Sequence, residues 1–375
     1  MSSEKKSFAE NAAGGKVPPD IRKLRKELHS CPELSLREQK TRRVLLAFLN
    51  GLQGIEVEER GAWFCAVRKS SREAMPPIAF RADFDAVAGA DGRPGHYCGH
   101  DGHASILAGF AEYLSVIDPD RTVYLIFQPA EETGEGALLC RELLKEKGIT
   151  EIYGFHNIPG YETGSVLILP GTFACASTGL EITVSGTPSH AAYPEAGKNP
   201  AELLAQLILY RKELLEKPCE GMVLATVVGA ELGGPAYGVS AGHGVLRLTL
   251  RAELQSEFQS IVKSYTEKAM QLSDAAGMQC SVRRIEEFPA TENHADCAEK
   301  VEAAAKNLGL RILHPAEPFR WSEDFGYYLR ETKGAFFGVG AGREWPQLHT
   351  AEYEFPDEIA ETVLRVYAEL IKINC

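Results

Sequence analysis

Short, continuous apolar runs that alternate with stretches of helical periodicity constrain this chain more than any other feature. Ile78-Ala79-Phe80, Val123-Tyr124-Leu125-Ile126-Phe127 and Ile152-Tyr153-Gly154-Phe155 lack polar alternation, as strands buried on both faces do. Between them the pattern predicts helices over about 104–114 and 136–145. Ile21, Leu24 and Leu28, then Leu45, Leu46, Phe48 and Leu49, place two helices at the start of the folded part. That order reads as α/β with a largely parallel sheet. In such sheets ligands sit beyond the carboxyl ends of the strands, so chemistry is to be sought there.

The rhythm changes near Ala176. Leu180, Ile182 and Val184 alternate with Glu181, Thr183 and Ser185, as in a half-exposed strand. A helix over about 200–215, strands over about 222–231 and 243–252, a helix over about 256–276 and a strand over about 278–286 follow. Together they make β-α-β-β-α-β, the ferredoxin-like split βαβ sandwich. After Pro289 come a helix over about 295–308, the strand Ala335-Phe336-Phe337-Gly338 and a last helix over about 357–372. The expected organisation is a first domain of residues 1–176, with a loose polar leader over 1–16, completed by 290–375 and interrupted by an inserted domain over 177–289.

A chain of 375 residues accommodates this plan of one large and one smaller domain. With 40 Lys and Arg against 52 Asp and Glu the net charge is −12. That sign repels phosphate backbones and anionic lipid surfaces and argues against nucleic acid or membrane as partners. No apolar stretch has the length of a membrane span, and the first residues lack a signal-peptide core, so the cytoplasm is expected. The nine cysteines are scattered without a CxxC, which suits a reducing compartment.

The densest set of potential ligands is His96-Tyr97-Cys98-Gly99-His100-Asp101-Gly102-His103. Thiolate and imidazole are common ligands of zinc and related ions; the alternative is a helix N-terminus at which Asp101 satisfies free amides. After the strand ending at Phe127 come Glu131 and Glu132, which could divide the labour of metal ligand and base or simply begin a helix. His156 and His349 read singly as structural histidines. Asp83 and Asp85 could orient histidine ligands or be loop acids. Convergence favours function, because Asp83, Asp85, Cys98, His100, Glu131, Glu132 and His156 all fall at or just beyond the ends of successive expected strands.

Seven ordered segments carry a resemblance: His29-Ser30-Cys31-Pro32-Glu33-Leu34-Ser35, Arg81-Ala82-Asp83-Phe84-Asp85-Ala86, Cys98-Gly99-His100-Asp101-Gly102-His103, Phe127-Gln128-Pro129-Ala130-Glu131-Glu132, His190-Ala191-Ala192, Ser322-Glu323-Asp324-Phe325 and Leu348-His349. In this order they resemble the dinuclear-metal amidohydrolases of the aminoacylase and carboxypeptidase G type, in the branch with hippurate hydrolase, indole-3-acetyl-amino-acid hydrolases and N-acetyldiaminopimelate deacetylase. The resemblance implies Cys98, His100, Glu132, His156 and His349 as ligands of two divalent ions, with Glu131 as general base and Asp83 or Asp85 as the orienting acid. It also implies that the insert is a lid and dimerisation domain. His190 would then reach a neighbouring subunit's site, and Arg251 would pair with the substrate carboxylate, as a guanidinium can.

The activity so implied is removal of the acyl group from an N-acyl amino acid, with a dipeptidase or carboxypeptidase as the alternative that needs the same centre. Zinc suits thiolate and imidazole; manganese or cobalt suits a mixed carboxylate and imidazole site. A small-molecule substrate and a homodimer are expected. Two rival readings stand beside this one: a metal-bearing binding protein without turnover, and a dinucleotide site at Gly338-Val339-Gly340-Ala341-Gly342, where Arg343 stands in place of the third glycine. The chain departs from the family at Ala88, Glu195 and Tyr237-Gly238-Val239-Ser240-Ala241-Gly242, so expectations about the pocket entrance and acyl contacts do not carry over.

Overall fold

Buried, β-branched and aromatic runs build the strands, and helices with one apolar face cover them. The computed structural model describes residues 19–373; the leader expected over 1–16 lies outside the described residues. In chain order the elements are α1 (Pro19–His29), α2 (Gln39–Asn50), β1 (Glu56–Arg60), β2 (Trp63–Arg68), β3 (Ile78–Asp83), α3 (His100–Ser115), β4 (Val123–Gln128) and β5 (Glu151–Pro159). Next come β6 (Ala176–Ser185), α4 (Ala201–Leu215), β7 (Val223–Leu232), β8 (His243–Ala252), α5 (Gln255–Ala275) and β9 (Gln279–Phe288). The chain closes with α6 (Ala295–Asn307), β10 (Lys333–Gly342) and α7 (Ala360–Leu370).

These elements form two compact units. One runs through Phe173 and resumes over Thr291–Glu317 and from Asp324 onward; the other comprises Ala174–Ala290 and Pro318–Glu323. No described helix is long and apolar enough to cross a membrane.

The first unit carries a sheet in the order β1-β2-β4-β3-β5-β10, extended by the two-residue strands Val166–Leu167 and Ile312–Leu313. Its centre is parallel, since β4, β3, β5 and β10 run the same way. Only β1, β2 and Val166–Leu167 join antiparallel. Every residue of β3 and β5 is buried, as a sheet covered on both faces requires. Phe80 on β3 meets Phe110 of α3 and Tyr367 of α7 at ring-centroid distances of 5.0 and 4.5 Å, so aromatic packing fixes both helices on one face.

Local pattern missed three features. The β1–β2 hairpin was not expected, because Glu56, Glu58 and Glu59 hide the strand period. The helix expected over 136–145 is two short ones, Gly136–Cys140 and Glu142–Glu146. Strand β5 runs on to Pro159 rather than stopping at Phe155, which puts His156 and Asn157 on a rigid strand.

In the second unit the sheet order is β7-β8-β6-β9, with antiparallel neighbours throughout. Leu180, Ile182 and Val184 of β6 and Leu246, Leu248 and Leu250 of β8 join Leu207, Phe258, Val262 and Tyr265 from α4 and α5 in one buried core. The alternation that marked β6 in the sequence is its burial pattern here.

Candidate metal centre

Four parallel strands deliver the site from their carboxyl ends. Asp83 ends β3, Glu131 and Glu132 follow β4, His156 lies on β5, and His349 follows β10. Helix α3 begins at His100, one residue after Gly99 with φ +95°. A Cβ at Gly99 would stand 2.8 Å from Asn157 Oδ1, so the backbone approach that brings Cys98 and His100 to the strand ends needs glycine. Ala130 and His349 also have positive φ, +52° and +62°. For residues with a Cβ this costs roughly 1–2 kcal/mol each, and such strain collects at functional sites.

The side chains converge. Cys98, His100 and His156 place donor atoms within 4.8 Å of one another, as do Cys98, Glu132 and His349, and His100, Glu131 and Glu132. Cys98 Sγ stands 3.4 Å from His156 Nε2. Glu132 Oε1 lies 3.7 Å from His100 Nε2 and 3.5 Å from His349 Nε2. His100 Nε2 and Glu132 Oε1 are buried and make no hydrogen bond, a state that costs about 1–3 kcal/mol for each group. A cation shared by these atoms relieves that cost, and the sulfur, nitrogen and oxygen donors are those that divalent transition metals take. The five residues therefore fit a metal centre.

Surrounding groups fix the rings. His100 Nδ1 donates to Asp85 Oδ1 at 3.0 Å, leaving Nε2 toward the site. His156 Nδ1 donates to the Asn157 carbonyl at 2.9 Å, and its Nε2 faces Cys98 Sγ. Asp85 Oδ2 also accepts from Ser35 Oγ at 2.7 Å and from the Glu132 amide at 3.1 Å. Asp83 is engaged differently, accepting from Arg81 at 2.7 Å and His103 Nδ1 at 2.6 Å. His103 Nε2 faces Asn157 Oδ1. Asp83, His100 and His103 also lie close enough to hold an ion, but His103 and Asp83 are committed to one another and to Asn157 and Arg81.

Charge follows this geometry. Burial opposes a charged His100, but Asp83, Cys98 and Asp85 outweigh it and hold its pKa well above the ordinary imidazole value. Burial, with His103 and His100 nearby, holds His156 well below that value. Burial also pushes the Cys98 thiol up, with Glu132 adding to the effect. His349, half-exposed, is pushed up to about 10 by Cys98 and Glu132 beside it. Glu131 accepts from the Asp324 amide at 3.3 Å, and its Oε2 lies 4.0 Å from His100 Nε2.

Asp324 belongs to a buried group that sequence reading left out of the site. Arg81 binds Gln128 Oε1, Asp83 and Asp324 at 2.8, 2.7 and 2.6 Å, and the Gln128 amide donates to both oxygens of Asp324. Burial raises Asp324 to about 6, against the pull of Arg81. The sequence signal for this set was membership of the Arg81, Phe127 and Ser322 segments.

The other expected site residues lie in the second unit. His190 is exposed and its ring nitrogen accepts from the Ala192 amide at 3.0 Å. Arg251, on β8, donates to the Arg320 carbonyl at 2.8 Å and to Ser322 Oγ at 2.9 Å. The dinucleotide reading is overturned, because Gly338 to Gly342 lie inside β10 and no helix begins directly after it. A Cβ at Gly340 would stand 2.1 Å from the Glu162 carbonyl oxygen, so that glycine serves chain packing rather than phosphate contact.

Comparison with known proteins agrees with this geometry. Residues 79–373 match the family described as Peptidase family M20/M25/M40. The N-acetyldiaminopimelate deacetylase of Leuconostoc mesenteroides is 29% identical over 362 residues, covering 91% of this chain and 93% of that protein. A crystal structure from methicillin-resistant Staphylococcus aureus superposes with TM-score 0.87 at 22% identity over 99% of both chains. A Bacillus subtilis dinuclear metal binding peptidase from the M20 family does so with TM-score 0.78 at 24% identity over 98% of both.

Proposed function

The chain belongs to peptidase family M20/M25/M40, and from that premise we propose that it is a metal-dependent hydrolase that cleaves the amide bond of N-acyl amino acids. The observation that carries the reading is the convergence of Cys98, His100, Glu132, His156 and His349, with buried unbonded atoms on His100 and Glu132 and a second carboxylate, Glu131, beside them. Likeness to the Leuconostoc deacetylase supports an acylated amino acid as substrate. The description of the Bacillus relative supports two ions.

Those five residues hold the ions, zinc by preference for the thiolate and imidazoles, with manganese or cobalt admitted by the carboxylate. When bound, such ions supply Lewis acidity and lower the pKa of a nearby water. Glu131 takes a proton from the attacking water and returns it to the departing amine. The Asp324 amide orients Glu131, and Asp85 keeps His100 in the tautomer that presents Nε2. Of the two acids weighed from the sequence, this contact supports Asp85 in the orienting role. The inserted segment serves as a ferredoxin-like lid and dimerisation module, with Arg251 on the substrate carboxylate and His190 of a second copy on the scissile carbonyl.

The test is reconstitution with zinc, manganese or cobalt and measurement of amine release from a panel of N-acyl amino acids and dipeptides. Glu131→Gln is expected to keep the metal content and lose turnover by about 10²–10⁴-fold. Unchanged turnover in that variant defeats the mechanism, and release from dipeptides alone moves the assignment to a dipeptidase.

A further inference from the structure

The segment between α1 and α2 holds one of the seven motifs, and nothing above assigns it a function beyond Ser35. It is anchored at both ends. Glu33 caps α2 by accepting from the Lys40 and Thr41 amides at 2.7 and 3.0 Å, and its carbonyl accepts from the Ala86 amide at 2.9 Å. Beyond Ser35, Glu38 is buried, 5% exposed, and its Oε1 accepts from the Ala130 amide at 2.9 Å. Ala130 immediately precedes Glu131 and Glu132.

The turn after β4 needs that acceptor. Ala130 is fully buried with φ +52°, and its carbonyl accepts from the Glu135 and Gly136 amides at 3.2 and 3.0 Å. The Glu131 carbonyl accepts from the Gly134 amide at 2.8 Å. The Ala130 and Glu131 carbonyls are therefore met from within the turn, whereas the Ala130 amide is met from 92 residues away by Glu38. Removing Glu38 leaves a buried amide unpaired and lets Ala130 relax toward negative φ, which redirects both following carboxylates. Asp85 holds the same turn two residues on, through the Glu132 amide at 3.1 Å.

We propose that Glu38 is a positioning residue for the reaction proposed above: it holds Ala130 in the left-handed conformation that aims Glu131 and Glu132 into the site. The role rests on an acceptor oxygen at that place, so a glutamine, which keeps one, is expected to serve where an alanine does not.

Glu38→Ala and Glu38→Gln in the full chain separate these cases with two readouts. Hydrogen exchange of the peptide spanning 123–136, in metal-free protein, reports the Ala130 hydrogen bond without reference to activity. In Glu38→Ala the Ala130 amide is expected to exchange at least about tenfold faster, while Glu38→Gln keeps its protection. In enzyme reconstituted at saturating metal, kcat is expected to fall about 10–100-fold in Glu38→Ala, with KM within twofold and metal affinity weakened because Glu132 is redirected, and to stay within about threefold in Glu38→Gln. Retained protection or retained kcat in Glu38→Ala overturns the proposal, as does lost protection in Glu38→Gln. Wild-type protein that hydrolyses nothing on the panel sinks the deacylase reading alone, because the exchange comparison still decides whether the clamp exists.

Discussion

His349 holds its proton up to about 10 in the metal-free protein, because Cys98 and Glu132 stand beside it, yet a histidine ligates a metal only when neutral. In the ligand place proposed for His349, loading expels a proton, and any process that releases protons is favoured as pH rises. Metal affinity is expected to climb between pH 6 and 8 by up to about tenfold per unit for each proton released. Titration calorimetry in buffers of different ionisation enthalpy reads the count directly, and release of none contradicts the place given to His349. Arg81 makes a second case at this scale. It spans Gln128, Asp83 and Asp324 with all members buried, so Arg81→Met strands two carboxylates and is expected to cost about 3–5 kcal/mol in urea unfolding. Arg81→Lys is expected to recover little, since one ammonium lacks the planar fork that reaches all three.

Helix α3 carries the site at its first turn and an unsatisfied acid near its other end. Glu112 Oε2 is buried without a hydrogen bond, and burial, with Asp20 of α1 adding charge, raises its pKa to about 7. A carboxyl raised above its unfolded value of 4.5 favours the folded state while protonated. Its contribution is thus full below about 4.5 and lost as pH rises through about 7. Solvent at this partly exposed group reduces the effect. Glu112→Gln is expected to raise Tm by about 1–3 °C at pH 8 and to leave it unchanged at pH 4.5; equal melts at both pH values refute the assignment. Elements like α3, β3, β4 and β5 were legible because continuous burial and helical period are local signals. The β1–β2 hairpin was not, as its glutamates mask alternation. Nor were the Glu38 to Ala130 and Arg81 to Asp324 contacts, which join residues 92 and 243 positions apart. Of the proposed ligands, Cys98 and His100 stood out in a dense motif and Glu132 in a strand-end acid pair, whereas His156 and His349 read singly as structural histidines and joined the set only through the resemblance. The positive φ of Ala130 and His349 has no local sequence signature.

The two edges of the second unit's sheet differ in a way that bears on assembly. Edge β9 carries Arg283, Arg284, Glu286 and Glu287, charges of the kind that keep an edge strand from pairing with another chain. Edge β7 reads Val-Leu-Ala-Thr-Val-Val-Gly-Ala-Glu-Leu, and its one charge, Glu231, is taken up by Arg247 on the neighbouring β8. A register shift between Val227 and Gly229 leaves Val228 61% exposed, and Leu232 is 47% exposed. A largely apolar edge is self-complementary about a two-fold axis, since antiparallel strands can exchange identical hydrogen bonds. Protein at micromolar concentration is therefore expected to scatter light with twice the mass of one chain. Val228→Lys together with Leu232→Lys is expected to weaken association by at least about a hundredfold, or about 2.7 kcal/mol, while the metal content of each chain stays the same. Wild-type protein that stays monomeric removes β7 as an interface, and with it the reason to place His190 of a second copy at the reacting carbonyl. A dimer that survives both lysines keeps the assembly but moves its contact to another surface.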